Sequence, residues 1–570
     1  MNKVVREIEI HENEVELWWP MDMATRNSTR SRDCHGQWRN TSLRDHRDRI
    51  PHDRTHPGLR RPLGHPQRAP FLLQSQLGSH LPQRIQLDPD LRVPGAQPHR
   101  SHGIPPRIGA RDRNEHAACV GRRSLRDRRI LPIADRKGIL LWHDMMFACA
   151  LYPIDAAFLG NVKKEIATQI TRVKHHPSIL VWAGNNENEL AIRQRWWIVG
   201  SYPIGQQVDD YIKLYKDTIQ PLIKELDTSR PFLLSSPSNG IKTEEEGGVA
   251  VDPANPLYGD IHFYGRHLQS VDPKNSYPSR HTMLQYINES EWQYSSSAML
   301  HRQHKPGAVF TVLKQVFDHF QLPVGCNPSI ANDSSCLTGS FMSKFAYLSQ
   351  FHQAIAYQVE TEHYRRWRGR LDSIGQGNTM CGLYWQLNDI WAAPTWSSID
   401  FNLNWKPAHY FARRFFAPVI ASMFIENNVV QLFVVSDLQT DIPNATVTLD
   451  LFAWDNGFTP IDSFTTRADI KALTSNPVTF ASETNPDATD FVLRARVVDS
   501  NKKQVGFDGI LLPDRLRSDQ GVIVTFSDNA FSMTTPQVTV TATVRRNLAE
   551  IKLTKEDLKI CHLGNCGADE

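Results

Sequence analysis

The chain has 570 residues, of which 40% are apolar and 22% charged, a globular composition long enough for several domains or one large barrel with appendages. Its net charge of +3 gives no electrostatic argument for a nucleic-acid or membrane partner. No apolar run reaches the roughly 20 residues that a membrane span needs.

The first twenty residues, "MNKVVREIEIHENEVELWWP", alternate like a strand and lack the apolar centre of a secretion signal. Between residues 21 and 131 Arg, His and Pro dominate, and neither hydrophobic period is present. No lysine occurs between Lys3 and Lys137, and the first tyrosine is Tyr152. A basic arm for nucleic acid would mix Lys with Arg and hold less Leu, Ile and Pro, so this stretch is expected to be disordered without that role.

From about residue 132 the pattern turns regular. "GILLWHDMMFA" predicts a buried strand, residues 161–175 an amphipathic helix, "SILVWAGNNE" the next strand and residues 208–227 the next helix. Short strands "FLLSS" and "DIHFY" follow, then a long helix over about 340–370 and the strand "CGLYWQLND". Strands alternating with helices point to a (β/α)₈ barrel. Catalytic groups of such barrels sit at C-terminal strand ends, where Asp144, Glu187, Tyr264, Asn388 and Asp389 fall. After a helix around "AHYFARRFFAP", the runs "VVQLFVVSD", "ATVTLDLFAW", "FVLRARVVD" and "QVTVTATV" predict a C-terminal β-sandwich.

"SILVWAGNNENEL" sets two carboxyl groups directly after a buried run. Glu187 ends the strand and would face the barrel mouth, whereas Glu189 falls where the chain turns into a helix. Glycoside hydrolysis needs one carboxyl to protonate the leaving oxygen and a second to attack or activate water. The plain alternative is a polar loop after a strand. Trp142, Trp182, Trp385, Trp391 and Trp396 are sugar platforms in the functional reading and core residues in the plain one. Of the eight cysteines, Cys326/Cys336 and Cys561/Cys566 are spaced for small disulfide loops, and none forms a paired CxxC zinc pattern. Sequons at Asn288, Asn332 and Asn444 fit passage through a secretory pathway.

The ordered motifs "LLWHDMMFACALYP", "HHPSILVWAGNNENE", "RPFLLSSPSNG", "GDIHFY", "LHRQH", "LYWQLNDIWAAPTWSSID" and "KPAHYFARRFFAP" resemble animal β-mannosidases of glycoside hydrolase family 2, over about 132–440. The resemblance implies a retaining exo-glycosidase acting on oligosaccharides with terminal β-mannose, without metal or organic cofactor. A lysosomal or secreted setting goes with it. It implies Glu187 as acid/base, Asn186 as holder of the sugar 2-hydroxyl, Tyr264 as a contact of the nucleophile, and Asp144 and Trp385 as walls of the mannose subsite.

Two departures accompany it. The family's nucleophile strand belongs between "HFY" and "LHRQH", and it is missing here near Ser279–Thr282; Glu289 and Glu291 are the nearby glutamates, in what should be an exposed loop. Codons for "NEHAACVGRRSLRDRRIL", read one base out of frame, permit the family's Asn-Met-Leu-Arg-Val-Trp-Gly-Gly-Gly-Val-Tyr-Glu. Further shifted matches occur in order. Residues 21–131 are therefore read as out of frame. The expected organisation is a remnant of an N-terminal β-sandwich (1–20), that stretch, an incomplete (β/α)₈ barrel lacking its nucleophile strand (132–418), and an immunoglobulin-like β-sandwich region (419–570). The rival readings are a carbohydrate-binding pseudoenzyme and a family 2 β-galactosidase or β-glucuronidase.

Overall fold

A computed structural model describes residues 83–87, 116–119, 130–263, 275–303, 308–320, 338–427, 429–453, 459–480, 491–512, 523–526 and 528–532. The expected N-terminal strand, the "QVTVTATV" strand and the Cys326/Cys336 and Cys561/Cys566 pairs lie outside these residues, as does Tyr264. Within the arginine-rich stretch two short strands are described, β1 (Gln83–Leu87) and β2 (His116–Cys119). At those nine positions extended backbone replaces the expected disorder, each strand pairing with a regular strand of the later chain.

The chain divides into two compact units; of the described residues, the first holds 116–261 and the second 83–87 and 262–532. In the first unit, α1 (Ile130–Lys137) leads into β3 (Leu140–Ala148), an almost continuously buried strand that pairs in parallel with β2. Burial on both faces is what a parallel strand covered by crossover helices requires. Asp155 caps α2 (Ala156–Val173), its carboxylate accepting from the Ala157 and Phe158 N–H groups at 3.0 Å each. The helix begins five residues earlier than its apolar pattern predicts because this cap fixes its start. Val162, Ile166, Ile170 and Val173 form its buried stripe.

The next strand, β4 (Ile179–Asn186), lies parallel to β3 and to β5 (Phe232–Leu233). Between them run α3 (Asn188–Arg193), α4 (Ile204–Tyr211), a π-helical segment over Ile212–Ile219, and α5 (Gln220–Leu226). Only two residues of "FLLSS" form ladder; the next carbonyl, of Leu234, accepts from the Asn185 side chain instead (2.9 Å). A single parallel bridge, Asn186 to Ser236, follows. The described residues of "DIHFY", 260–263, do not form a strand. The Asp260 carboxylate instead accepts from the Ser236 hydroxyl (2.6 Å) and the Ser238 N–H (3.0 Å), fixing an irregular path.

The base of β4 is held by a buried cluster. Asp227 accepts from the Trp182 indole (3.0 Å) and the Arg230 guanidinium (2.9 Å), and Arg230 also donates to the Ile179 and His176 carbonyls. Trp182 is fully buried, a core residue and not a sugar platform, and Trp142 is buried as well.

In the second unit, the one-turn helix α7 (Arg280–Met283) precedes α8 (Ser297–Gln303), α9 (Ala308–His319) and the long α10 (Gly339–Arg366); the label α6 belongs to Ile241–Glu245 of the first unit. Strand β6 (Gly382–Tyr384) pairs in parallel with β1. It is shorter than "CGLYWQLND" predicts. From Gln386 onward the backbone bonds residues 396–399 one contact at a time, including Ser398 N–H to Gln386 (3.0 Å) and Ile399 N–H to Leu387 (2.9 Å). After α11 (Pro407–Phe415) come β7 (Val419–Glu426), β8 (Val429–Ser436), β9 (Ile442–Ala453), β10 (Asp462–Ile470), β11 (Thr474–Val478), β12 (Phe491–Val498) and β13 (Gly509–Leu511). They form two antiparallel sheets, β10-β9-β12-β13 and β11-β8-β7. Alternate residues of both sheets, such as Ala445, Val447 and Leu449 against Val419, Ala421 and Met423, share one core. The fold is thus of mixed helix and sheet, and no closed barrel forms among the described strands.

Asp227→Ala would leave the Arg230 guanidinium and the Trp182 indole buried without their acceptor. We expect a loss of roughly 3–5 kcal/mol in denaturant unfolding, with Asp227→Asn less damaging because one carbonyl acceptor survives.

Candidate active site

The sequence places five polar residues, Asn185 to Glu189, after "ILVWAG", and the backbone leaves the strand within them. It does so at Glu187, whose φ of 67° is left-handed, a costly conformation for a residue with a Cβ. The surroundings impose it. The Glu187 N–H donates to the Ser236 carbonyl at 2.8 Å. Asn185, fully buried, donates to the Leu234 carbonyl (2.9 Å), while its own carbonyl accepts from the Asn188 N–H (3.0 Å) and the Ser235 hydroxyl (2.8 Å). Gly184 is required just before, since a Cβ there would stand 2.4 Å from the Leu234 carbonyl oxygen.

The Glu187 side chain is buried, and the Cys149 thiol lies 3.4 Å from its Oε2. The Asn186 amide donates to the same sulfur at 3.4 Å, and the Cys149 N–H donates to the Asn186 carbonyl at 3.0 Å. Asn188 joins this turn to the next: its carbonyl accepts from the Ala150 N–H (3.1 Å) and its amide donates to the Tyr215 hydroxyl (2.7 Å). Tyr215 and Tyr211, whose rings lie 4.5 Å apart, are supplied by the π-helical segment and the helix end before it. One extra residue per turn there is marked by the Thr218 hydroxyl donating to the Lys213 carbonyl five residues back, at 2.7 Å.

Glu189 points elsewhere. Its Oε1 accepts from the Ala250 N–H (2.7 Å) and the Thr243 hydroxyl (3.3 Å), and its Oε2 is buried without a hydrogen-bond partner. Burial pushes this carboxyl up to about 8, against the pull of those two donors and of Arg193, with Asp260 adding repulsion. It is a neutral tie between α3 and the 243–250 segment. His143 is likewise neutral, lowered to about 4 by burial.

Of the other sequence-derived residues, Asp144 is buried in β3, four residues before the strand's end rather than at it. The β3–β4 register shifts just after it, between Asp144 and Phe147, so Asp144 closes the regular part of the ladder. The first unit therefore brings together Glu187, Asn186 and Cys149. In the second unit Trp385 is half-buried just after β6, its carbonyl bonded by the Tyr357 hydroxyl, and Asn388 and Asp389 are buried. Burial raises the Asp389 carboxyl to about 6, opposed by Lys406, Thr395 and Ser397.

Around Ser279–Thr282, where a strand is expected to be missing, Arg280–Met283 form a one-turn helix capped by the Ser279 side chain. Glu289 and Glu291 lie in a 3₁₀ turn; Glu289 is exposed and paired with Arg280, and Glu291 accepts from the Ala298 N–H at 2.9 Å. Among the described residues, no group of three or more His, Cys, Asp and Glu residues is arranged to hold a metal ion. Sequence reasoning missed Cys149, Asn188, Tyr211 and Tyr215. Their roles depend on contacts over 27 to 38 positions, which no local spacing announces.

No protein-family model matches the chain. A probable β-mannosidase of Caenorhabditis elegans is 42% identical over 407 residues, 67% of this chain and 45% of that protein. The β-mannosidase of Rattus norvegicus is 41% identical over 337 residues, 57% of this chain and 37% of its own length. The chain thus spans less than half the length of these curated relatives. Among solved structures, the β-D-mannosidase from Dictyoglomus thermophilum is similar with a TM-score of 0.63 at 21% identity, over 78% of this chain and 52% of that one. An exo-chitosanase of Amycolatopsis orientalis gives 0.52 at 15%, over 76% and 48%. At these identities the likeness is one of fold.

The raised Glu189 carboxyl links stability to pH. Its ordinary value is 4.5, so between pH 4.5 and about 8 the folded chain keeps a proton that the unfolded chain releases. The contribution is full below 4.5, falls as pH rises, and is gone above about 8. Glu189→Gln should flatten this slope and exceed the parent at high pH by on the order of a few kcal/mol. Unfolding curves from pH 5 to 9 check it; parallel stability profiles would refute the buried neutral carboxyl.

Proposed function

From its homology to animal β-mannosidases over 57–67% of its length, we propose that this chain carries the acid/base half of a retaining β-mannosidase. The substrate class is an oligosaccharide ending in a non-reducing β-D-mannose. Glu187 is the acid/base, Asn186 holds the sugar 2-hydroxyl, Tyr264 corresponds to the family's contact of the nucleophile, and Asp144 and Trp385 correspond to the family's walls of the mannose subsite. The (β/α)₈ reading of residues 132–418, the immunoglobulin-like reading of the C-terminal sheets and a lysosomal or secreted setting belong to this proposal. Among the described residues no helix is long and apolar enough to cross a membrane.

The observation that supports it is the Glu187 carboxyl itself, buried at the end of a parallel strand with a thiol 3.4 Å from its Oε2 and an asparagine amide beside it. A general acid must lie within reach of the leaving oxygen it protonates. The neighbouring Asn186 can donate to a hydroxyl of the sugar being cleaved.

Retention also needs a nucleophilic carboxylate about 5–5.5 Å from the acid. The one-turn helix at Arg280–Met283 and the exposed, Arg280-paired Glu289 support the reading that this chain lacks one. That favours a second reading, a carbohydrate-binding pseudoenzyme retaining the mannose subsite without turnover. A β-galactosidase or β-glucuronidase activity is the remaining alternative.

The test is to assay the chain as it stands on aryl β-mannoside, β-galactoside and β-glucuronide, beside a version with the nucleophile strand restored. We expect only the restored version to act, on the mannoside alone. In it, Glu187→Gln should lower kcat/KM on poor leaving groups by on the order of 10²–10⁴. Comparable rates with and without the restored strand would overturn the account and point to Glu289 or Glu291.

A further inference from the structure

Strands β3 and β4 leave their ladder on the same rung. Ala148 pairs with Asn186, and the residues that follow, Cys149 and Glu187, both take left-handed backbone, with φ of 41° and 67°. Neither is glycine, so each conformation has to be held by its surroundings. The Cys149 N–H is bonded to the Asn186 carbonyl (3.0 Å) and the Glu187 N–H to the Ser236 carbonyl (2.8 Å). The Asn188 side chain then ties the two departing segments together, its carbonyl accepting from the Ala150 N–H at 3.1 Å.

Tyr215 in turn orients that amide. Asn188 is buried, and its nitrogen donates to the Tyr215 hydroxyl at 2.7 Å. With the nitrogen fixed there, the oxygen faces Ala150. Without that acceptor a buried amide donor would go unsatisfied, and the group would gain by turning away.

Tyr215 is suited to the task because its ring is clamped and its hydroxyl stays neutral. The ring is buried, edge-on to Phe147 at 5.6 Å and tilted against Tyr211 at 4.5 Å. Burial holds its hydroxyl well above the ordinary tyrosine value, with Tyr211 and Tyr152 adding to the effect and Asn188 opposing it. The backbone that carries it is π-helical over Ile212–Ile219, where the Gln220 N–H reaches back five residues to the Tyr215 carbonyl. Such wide turns are rare in proteins and recur at functional sites.

We propose that Tyr215 is a positioning residue for the acid, fixing through Asn188 the turn from which Glu187 meets a glycosidic oxygen. With 2% exposure it acts through Asn188 and not on the sugar. The proposal rests on the reading of Glu187 as acid/base and adds the group that sets its aim.

The experiment titrates the full chain calorimetrically with two probes. One is mannose. The other is a mannose-configured bicyclic imidazole, whose ring nitrogen stands where the glycosidic oxygen would and accepts the acid's proton. In the parent the imidazole should bind more tightly than mannose, and Glu187→Ala should remove that preference. Tyr215→Phe keeps the packed ring and loses the hydroxyl. It should lower the preference about tenfold, the scale of one lost hydrogen bond. Asn188→Ala should lower it equally, and the double variant no further, because the two residues act in series. An undiminished preference in Tyr215→Phe, a parallel loss of both affinities, or additive losses in the double variant would overturn the positioning role and leave the acid/base reading standing. A parent without a Glu187-dependent preference overturns both. Hydrogen exchange supplies an arm without ligand. In Tyr215→Phe the Ala150 amide should exchange about tenfold faster, while the Trp182 amide, bonded to the Pro231 carbonyl, keeps its rate. An unchanged rate at Ala150 overturns the link through Asn188, and an acceleration that reaches Trp182 makes Tyr215 a core residue only.

Discussion

The candidate site depends on one constraint, the hydrogen bonding of Asn185. A strand that ended freely would let the next carboxyl swing toward solvent. Here the Asn185 amide binds the Leu234 carbonyl while its oxygen accepts from Asn188 and Ser235. That arrangement holds the turn shut around Glu187 and sustains its left-handed backbone. A buried asparagine in a strand is costly when unsatisfied, so its partners are fixed as firmly as the residue itself. Gly184, Ser235 and Ser236 are the surrounding sequence's accommodation to it. The opposite end of β4 is anchored with equal firmness through Trp182, Asp227 and Arg230.

Much of this was legible in the sequence, for identifiable reasons. Residues 140–148 and 179–186 are largely apolar, broken by His143 and Asp144 in the first and ended by Asn185 and Asn186 in the second, as parallel strands buried on both faces read. In the C-terminal sheets β10 alternates between exposed and partly buried residues, as a strand with one face to solvent does. The strands that failed, "DIHFY" over its described residues and most of "CGLYWQLND", are short runs whose backbone groups are taken by side chains or by isolated contacts, such as Asp260 with Ser236 and Ser238. Composition cannot report such competition. Trp182 shows the same limit: only the buried Asp227 acceptor reveals the ring as core.

The two glutamates of "NNENE" illustrate how two residues of one type diverge two positions apart. Glu187 is the left-handed residue just past the strand, and its carboxylate meets the Cys149 thiol. Glu189 lies one helical step further round, facing Ala250 and Thr243, where it receives hydrogen bonds on one oxygen only. The first environment offers an incoming ligand something to meet. The second is closed, and its carboxyl serves as a neutral wedge between a helix and a loop. Sequence spacing placed Glu189 at a helix start, where it lies, but its protonation state required its burial to be known.

The wiring of Asn185, Asn188 and Glu189 has a consequence for how this chain tolerates damage. The hydrogen-bond partners of these three side chains fall between Ala150 and Ala250, within a single compact unit. None is drawn from residues 275–303. A substitution at Ser279–Thr282 therefore removes none of the hydrogen bonds that hold the turn at Glu187, and damage to the later segment leaves that turn's own scaffold in place.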